Sequence, residues 1–264
     1  MGLSGDQQTA ASDLLYRTWR AGGAIEALPE PLRPATRPEG YAIQALLERY
    51  TRAPILGWKI AATSLAGQRH ISVDAPLAGR LLAEHTLESG AQHRLGANRM
   101  RVAEAEFAFR MARGLAPRPA PYTIDEVMDA VGALHLAIEI PDSRYTEFTR
   151  AGAPQLIADN ACADWFVLGP EAPPKWRDID LATHRVTATI SGKAPIEGCG
   201  ANVLGDPRIA LAWLVNELSS LGTVVRAGQV ITTGTCVTPV AIAPGDLLHA
   251  DFGELGRVSV RFAA

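Results

Sequence analysis

Glu104 and Glu106 lie in the segment Arg-Val-Ala-Glu-Ala-Glu-Phe-Ala-Phe, residues 101–109. In an extended strand alternate side chains share a face, so the two glutamates point one way and Ala103, Ala105, Phe107 and Phe109 the other. Neighbouring carboxylates repel, and burying them is expensive unless a cation compensates. A third acid, Glu139, interrupts the apolar segment Leu134–Ile140. Three carboxylates with no cysteine or histidine beside them suit a hard, oxygen-seeking cation such as Mg²⁺ or Mn²⁺. An alternating Glu pair is also what the wet face of an edge strand looks like. Glu139 argues against that reading, because apolar residues flank it on both faces, as in a strand covered on both sides.

Lys59 is one of only three lysines, with Lys175 and Lys193, and it sits inside the apolar run Ile55–Ala62. Such a lysine either snorkels to solvent or is held in the interior for a purpose. If it lies beside a metal, as the family resemblance named below implies, its ammonium is expected to have a lowered pKa, suited to acid–base work near neutrality. His135 shares a strand face with Glu139 and reads as a satisfied core histidine rather than a ligand.

The elements around these residues are mostly strands. Helical patterning occurs at residues 6–21 and 39–52, separated by the proline-rich stretch Leu28–Pro34. Thr123-Ile124-Asp125-Glu126 is a capping box that opens a short helix ahead of Val127, Val131 and Leu134. The clearest helix runs from Asp206 to Leu221, with Asp206 as N-cap, Pro207 in the first turn and Gly222 as left-handed terminator. Val186–Ile190 turns at Ser191-Gly192, and Asp246–Asp251 returns through Gly253 to Val258–Phe262. Strands outnumber helices without alternating with them, which excludes a doubly wound parallel fold. The pattern specifies an α+β protein: a helical N-terminal segment (1–54) and a β-rich catalytic domain (55–264).

At 264 residues, 47% hydrophobic and 20% charged, the chain can bury a substantial core. A net charge of -3 gives no electrostatic basis for nucleic-acid binding. No apolar run reaches the length of a membrane span, and the N-terminus lacks the charged and apolar regions of a signal peptide. Cys162, Cys199 and Cys236 have no metal-ligand spacing and cannot all pair within one chain. A reducing cytoplasmic setting is the expectation. Gly198-Cys199-Gly200 lacks the lysine and following helix of a phosphate loop.

Several short motifs, collinear from about Leu56 to the C-terminus, resemble the 2-keto-4-pentenoate hydratases and 4-oxalocrotonate decarboxylases of the fumarylacetoacetate hydrolase superfamily. They are Gly57-Trp58-Lys59-Ile60-Ala61-Ala62-Thr63-Ser64, Val73-Asp74-Ala75-Pro76, Glu104-Ala105-Glu106, Ala137-Ile138-Glu139-Ile140-Pro141-Asp142-Ser143-Arg144 and Ala158-Asp159-Asn160-Ala161. The resemblance implies a mixed β-roll with Mg²⁺ or Mn²⁺ on Glu104, Glu106 and Glu139. It further implies a small-molecule 2-oxo acid substrate and a homo-oligomer, in the setting of aromatic-compound breakdown. Lys59 would carry the proton. Thr63 and Ser64 would contact the substrate carboxylate, Asp74 and Asn160 would position water or substrate, and Arg144 would serve as a carboxylate clamp or a structural ion-pair partner.

The chain departs from the hydratase pattern in places. Leu77 stands where hydratases carry an acid linked to water activation, Gly234-Thr235-Cys236-Val237-Thr238-Pro239 lacks an arginine typical of that segment, and Cys162 replaces a usual serine. A hydratase is therefore the first expectation and a 2-oxo acid decarboxylase, which needs no water-activating acid, the second. An acylpyruvate C–C hydrolase ranks third, with only His70 and His85 available as water activators, and a non-catalytic metal-binding scaffold ranks last.

Overall fold

The structure is a computed structural model and describes residues 2–264. Its strands, in chain order, are β1 (Gly57–Ala61), β2 (Leu77–Leu81), β3 (Thr86–Glu88), β4 (Gln92–His93), β5 (Val102–Met111), β6 (Val131–Ile140), β7 (Trp165–Glu171), β8 (Arg185–Ile190), β9 (Ile196–Cys199), β10 (Val230–Thr235), β11 (Val240–Ala241), β12 (Leu247–Asp251) and β13 (Arg257–Phe262). The helices are α1 (Gly5–Arg20), α2 (Arg37–Ala45), α3 (Leu65–His70), α4 (Ile124–Met128), α5 (Ala153–Ala158) and α6 (Pro207–Ser220).

Among the described residues two sheets form. The 8-stranded one runs β2-β1-β10-β5-β6-β7-β3, with β11 added beside β5, and the 5-stranded one runs β4-β13-β12-β8-β9. Both mix parallel and antiparallel pairs, as expected of a mixed β-roll. The period-two pattern of β5 explains the layering. Phe107 and Phe109 are fully buried in the main core. Phe107 meets Phe252, which follows β12, edge to face at 5.1 Å, and this contact joins the two sheets. The opposite face of the large sheet carries the glutamates. It also carries a separate apolar cluster of Leu81, Ala108, Ala137, Phe166 and Val230.

The N-terminal helices are stitched to this body. The capping boxes at Ser4 and Thr36 start α1 and α2. Trp19 Nε1 donates to Asp164 Oδ1 at 2.9 Å, and Gln44 Nε2 donates to the carbonyls of Ala78 (2.8 Å) and Ile157 (2.9 Å). The helix expected over 39–52 begins two residues earlier, at Arg37, and tightens into a 3₁₀ segment at Leu46–Tyr50. The capping box at Thr123 forms as expected. Its helix stops at Met128, however, because Val131 and Leu134 pair with β5 as part of β6. The apolar spacing there belonged to a buried strand. For the Asp206 helix, the Asp206 side chain accepts from Arg208 N, and Gly222 has φ +71°. No described helix is long and apolar enough to cross a membrane.

Candidate active site

The long β5–β6 ladder places Glu104 directly opposite Glu139, with Glu106 two residues further along the same face. One carboxylate oxygen from each of the three lies within 4.8 Å of the others. Glu106 and Glu139 are buried and Glu104 is half-buried, at the open side of the cluster.

Lys59 reaches this cluster from β1. Its Nζ lies 2.8 Å from Glu139 Oε1, in a charge contact without hydrogen-bond alignment, and donates to the Ala161 carbonyl at 2.9 Å. Both side chains are buried, Lys59 at 3% exposure and Glu139 at 1%. A glycine leaves room for the Lys59 stem. Gly79 lies opposite Lys59 in the β1–β2 register, and a Cβ there would come within 3.0 Å of the Lys59 Cγ and Cδ.

Glu106 is held from β10. Its Oε2 accepts from the Thr232 hydroxyl and, at 2.8 Å, from Gly234 N. A register shift between Thr232 and Thr235 turns this backbone toward the acid. Gly234 has φ +104°, and a Cβ there would lie 2.0 Å from Thr63 Oγ1. Only glycine fits.

The charges do not balance. Burial, with Glu139 nearby, pushes Glu104 up to about 7 against the pull of Lys59. Burial and the other two acids raise Glu106 well above the usual carboxylate range, and burial raises Glu139 despite Lys59. One ammonium faces three carboxylates. Glu106 Oε1 and Glu139 Oε2 are buried without a hydrogen-bond partner, and Glu139 Oε1 has only the Lys59 ammonium. Orphaned acceptors in an all-oxygen set are what a hard divalent cation requires. The residues fit such an ion.

The lowered pKa was expected of Lys59 beside a bound cation; without the cation its pKa moves the other way. Burial acts to lower it, but Glu139 and Glu104 outweigh burial and hold the ammonium above its ordinary value. Contact with Glu139, across two intervening strands, was not visible in the sequence.

Residues 60–263 match the family model described as fumarylacetoacetate (FAA) hydrolase C-terminal. The chain belongs to this family. Relatives of this FAA hydrolase family member include a 2-keto-4-pentenoate hydratase of Burkholderia vietnamiensis, 33% identical over 98% of this chain and 99% of the relative. A 4-oxalocrotonate decarboxylase of Pseudomonas putida is 32% identical over 79% of this chain and 77% of its own. A solved structure of 4-oxalocrotonate decarboxylase from Pseudomonas putida G7, complexed with magnesium and adipate, superposes with TM-score 0.89. It is 27% identical and covers 98% of both chains. The curled mixed sheets are those of the FAA hydrolase fold.

Within this FAA hydrolase site the other residues singled out from the sequence separate clearly. Thr63 is buried beside Gly234, at the edge of the cluster. Ser64 caps α3, its Oγ accepting from Gly67 N at 3.0 Å. Asp74 is on the surface, its side chain 90% exposed and 3.8 Å from Arg37 Nη1, so the structure does not bring it to the acids. Arg144 is a structural partner. It pairs with the Asp159 carboxylate and donates to the carbonyls of Asp142 (3.0 Å) and Ala163 (3.0 Å). Asn160 spends its side chain on the backbone of Arg80, at 2.6 Å to N and 2.9 Å to O. His135 is satisfied as expected, contacting the Gly169 carbonyl at 3.1 Å and accepting from Arg110 Nε at 3.1 Å. Thr232 and Gly234, which hold Glu106, were missed as site residues. A glycine inside the apolar run Val230–Thr235 was the available signal, since it marks a bulge or a close backbone approach.

Proposed function

We propose that this protein is a metal-dependent hydratase that adds water to a 2-hydroxy-2,4-dienoate to give a 4-hydroxy-2-oxo acid. The observation that carries this reading is the buried Lys59–Glu139 contact beside the three-carboxylate cluster. End-to-end similarity to proteins named 2-keto-4-pentenoate hydratase supports it. Glu104, Glu106 and Glu139 would hold Mg²⁺ or Mn²⁺, a Lewis acid able to bind a 2-oxo acid and stabilise negative charge on its oxygens. The known magnesium and calcium complexes of the similar decarboxylase agree with a cation of this class.

The chain's own groups do the rest. Lys59 enters as the ammonium and delivers its proton to C5 of the dienol, the 2-hydroxyl proton passes to solvent, and the amine regains a proton from solvent before the next turnover. The conjugated 2-oxo-3-enoate that results accepts water, oxygen at C4 and proton at C3. The apolar cluster of Leu81, Ala108, Ala137, Phe166 and Val230 shares the acids' sheet face, and it keeps that face dry and strengthens the charge interactions there. A homo-oligomer is the expected assembly, from the resemblance alone.

One observation favours a second reading. Leu77 is fully buried, and in the β1–β2 register it lies two residues from Gly79, on the face of Lys59. The position where hydratases carry an acid is therefore sealed by a leucine. Decarboxylation of a 2-oxo dioic acid needs the same ion and the same proton carrier and no such acid. Separate ultraviolet assays with Mg²⁺ on 2-hydroxypenta-2,4-dienoate and on 4-oxalocrotonate, with products identified by NMR, decide between the two. A 4-hydroxy-2-oxo acid from the dienoate supports the hydratase. Release of CO₂ from the dioic acid alone replaces it with the decarboxylase.

A further inference from the structure

Asn160, Ala161 and Cys162 all have positive φ, at 55°, 50° and 61°. A left-handed conformation is unfavourable for a non-glycine residue, and only asparagine among these three tolerates it well. Three in succession persist only where the surroundings dictate them. The turn they form is the one that presents the Ala161 carbonyl to Lys59 Nζ, at 2.9 Å.

Asn160 supplies the constraint. Its Oδ1 accepts from Arg80 N at 2.6 Å and its Nδ2 donates to Arg80 O at 2.9 Å. The side chain thus pairs with β2 much as a neighbouring strand would. It ties the turn to the residue next to Gly79, which lies opposite Lys59. The fit is close: a Cβ on Gly79 would be 2.5 Å from the Asn160 carbonyl oxygen. From the other side Cys162 O accepts from Asp142 N at 2.9 Å, and Asp159 is locked to Arg144 and to Ser143 Oγ, the latter at 2.6 Å. All of these groups are buried.

We propose that Asn160 is a positioning residue for Lys59 rather than a substrate ligand. By clamping the backbone of Arg80 it imposes the left-handed 160–162 turn, whose Ala161 carbonyl aims the ammonium at Glu139. The metal ligands lie on β5 and β6 and do not depend on the clamp. The inference rests on Lys59 being the proton carrier, and its test includes a signal that does not depend on turnover.

Asn160→Gly removes the clamp while relieving the positive φ, so the backbone remains free to take either path. With ¹⁵N-lysine labelling only Lys59, Lys175 and Lys193 contribute side-chain signals. In the unaltered protein the buried Lys59 ammonium gives a cross-peak protected from solvent exchange, whereas the two exposed lysines exchange rapidly. The expected result for Asn160→Gly is loss of that protected signal with kcat down roughly ten- to a hundred-fold, because small misplacements of a reacting group are costly. KM and Mg²⁺ affinity should stay within about twofold, since a positioning loss acts on the transition state. A protected Lys59 signal with unchanged kcat overturns the proposal. So does a rise in KM with kcat preserved, which would make Asn160 a substrate ligand. If Asn160→Gly yields no soluble protein, Asn160→Asp, which keeps the acceptor for Arg80 N and loses the donor to Arg80 O, is read by the same criteria. Failure of the hydratase reading would change the substrate offered, not the Lys59 signal.

Discussion

Lys59 and Glu139 face each other at 2.8 Å with both charged groups withdrawn from water, although their strands are separated by β10 and β5 in the sheet. Glu139 is therefore shared between the Lys59 ammonium and the acid cluster. Removing Lys59 tests this sharing. Lys59→Met should lower kcat by about 10²–10⁴-fold, the usual contribution of a positioned acid–base group. The fold should survive, because Glu139, already raised toward its neutral form, takes a proton in place of its lost partner. Full activity in Lys59→Met would exclude it as the proton carrier.

The raised pKa of Lys59 makes a separate statement about pH. A group whose pKa is raised stays charged until pH exceeds that value, so without metal Lys59 remains an ammonium through neutrality. In the metal-free protein the Lys59 ammonium should therefore titrate above the ordinary lysine value of 10.5, read from its ¹⁵N chemical shift against pH. A midpoint below that value in the metal-free protein would contradict this.

Glu104, pushed up to about 7, gives the opposite kind of dependence. Between the ordinary 4.5 and about 7 the folded chain binds a proton there that the unfolded chain does not. Without metal, this site's contribution to stability is present at low pH and is lost as pH rises through that window. A divalent cation must displace the proton. Mg²⁺ affinity should therefore weaken below pH 7, by about tenfold per unit for each proton released. Calorimetry in buffers of different ionisation enthalpy measures that release. Binding at pH 6 with no proton released would refute the account of Glu104.

The support behind Glu106 can be probed without touching a carboxylate of the cluster. Thr232→Val removes the hydroxyl that donates to Oε2 at nearly constant shape. Losing such an outer partner typically costs 10–100-fold in metal affinity. Gly234→Ala should do more: it adds a Cβ 2.0 Å from Thr63 Oγ1 at φ +104° and disturbs the N–H that holds the same oxygen. It should lower both Mg²⁺ affinity and melting temperature. Metal binding unchanged in Thr232→Val would show that Gly234 N alone orients the acid.

Much of this site could be read from the chain because strand periodicity is local. The shared face of Glu104 and Glu106 and the buried setting of Glu139 follow from alternation within single segments, as do the helix caps at Thr123 and Asp206. What could not be read depended on register and on irregular backbone. The 104–139 pairing, the reach of Lys59 across β10 and β5, and the turn of Gly234 toward Glu106 are all set by how distant segments align. Asn160, Ser64 and Arg144 lie in or beside the functional motifs, yet their polar groups satisfy backbone or a buried carboxylate. Asp74 shares a motif with the site but not its location. The Val131–Leu134 spacing suited a helix and went to β6, because pairing with β5 outweighed local pattern.

The most direct test is a calorimetric titration of the protein with Mg²⁺ and then with oxalate, a mimic of the 2-oxo acid head, run in parallel on Glu106→Gln. The account predicts one ion per chain, oxalate binding only once the ion is present, and at least a hundredfold weaker Mg²⁺ binding in the variant with its fold and melting temperature retained. Tight Mg²⁺ binding that survives Glu106→Gln, or oxalate binding that is indifferent to metal, would show that the three carboxylates are not the cation site.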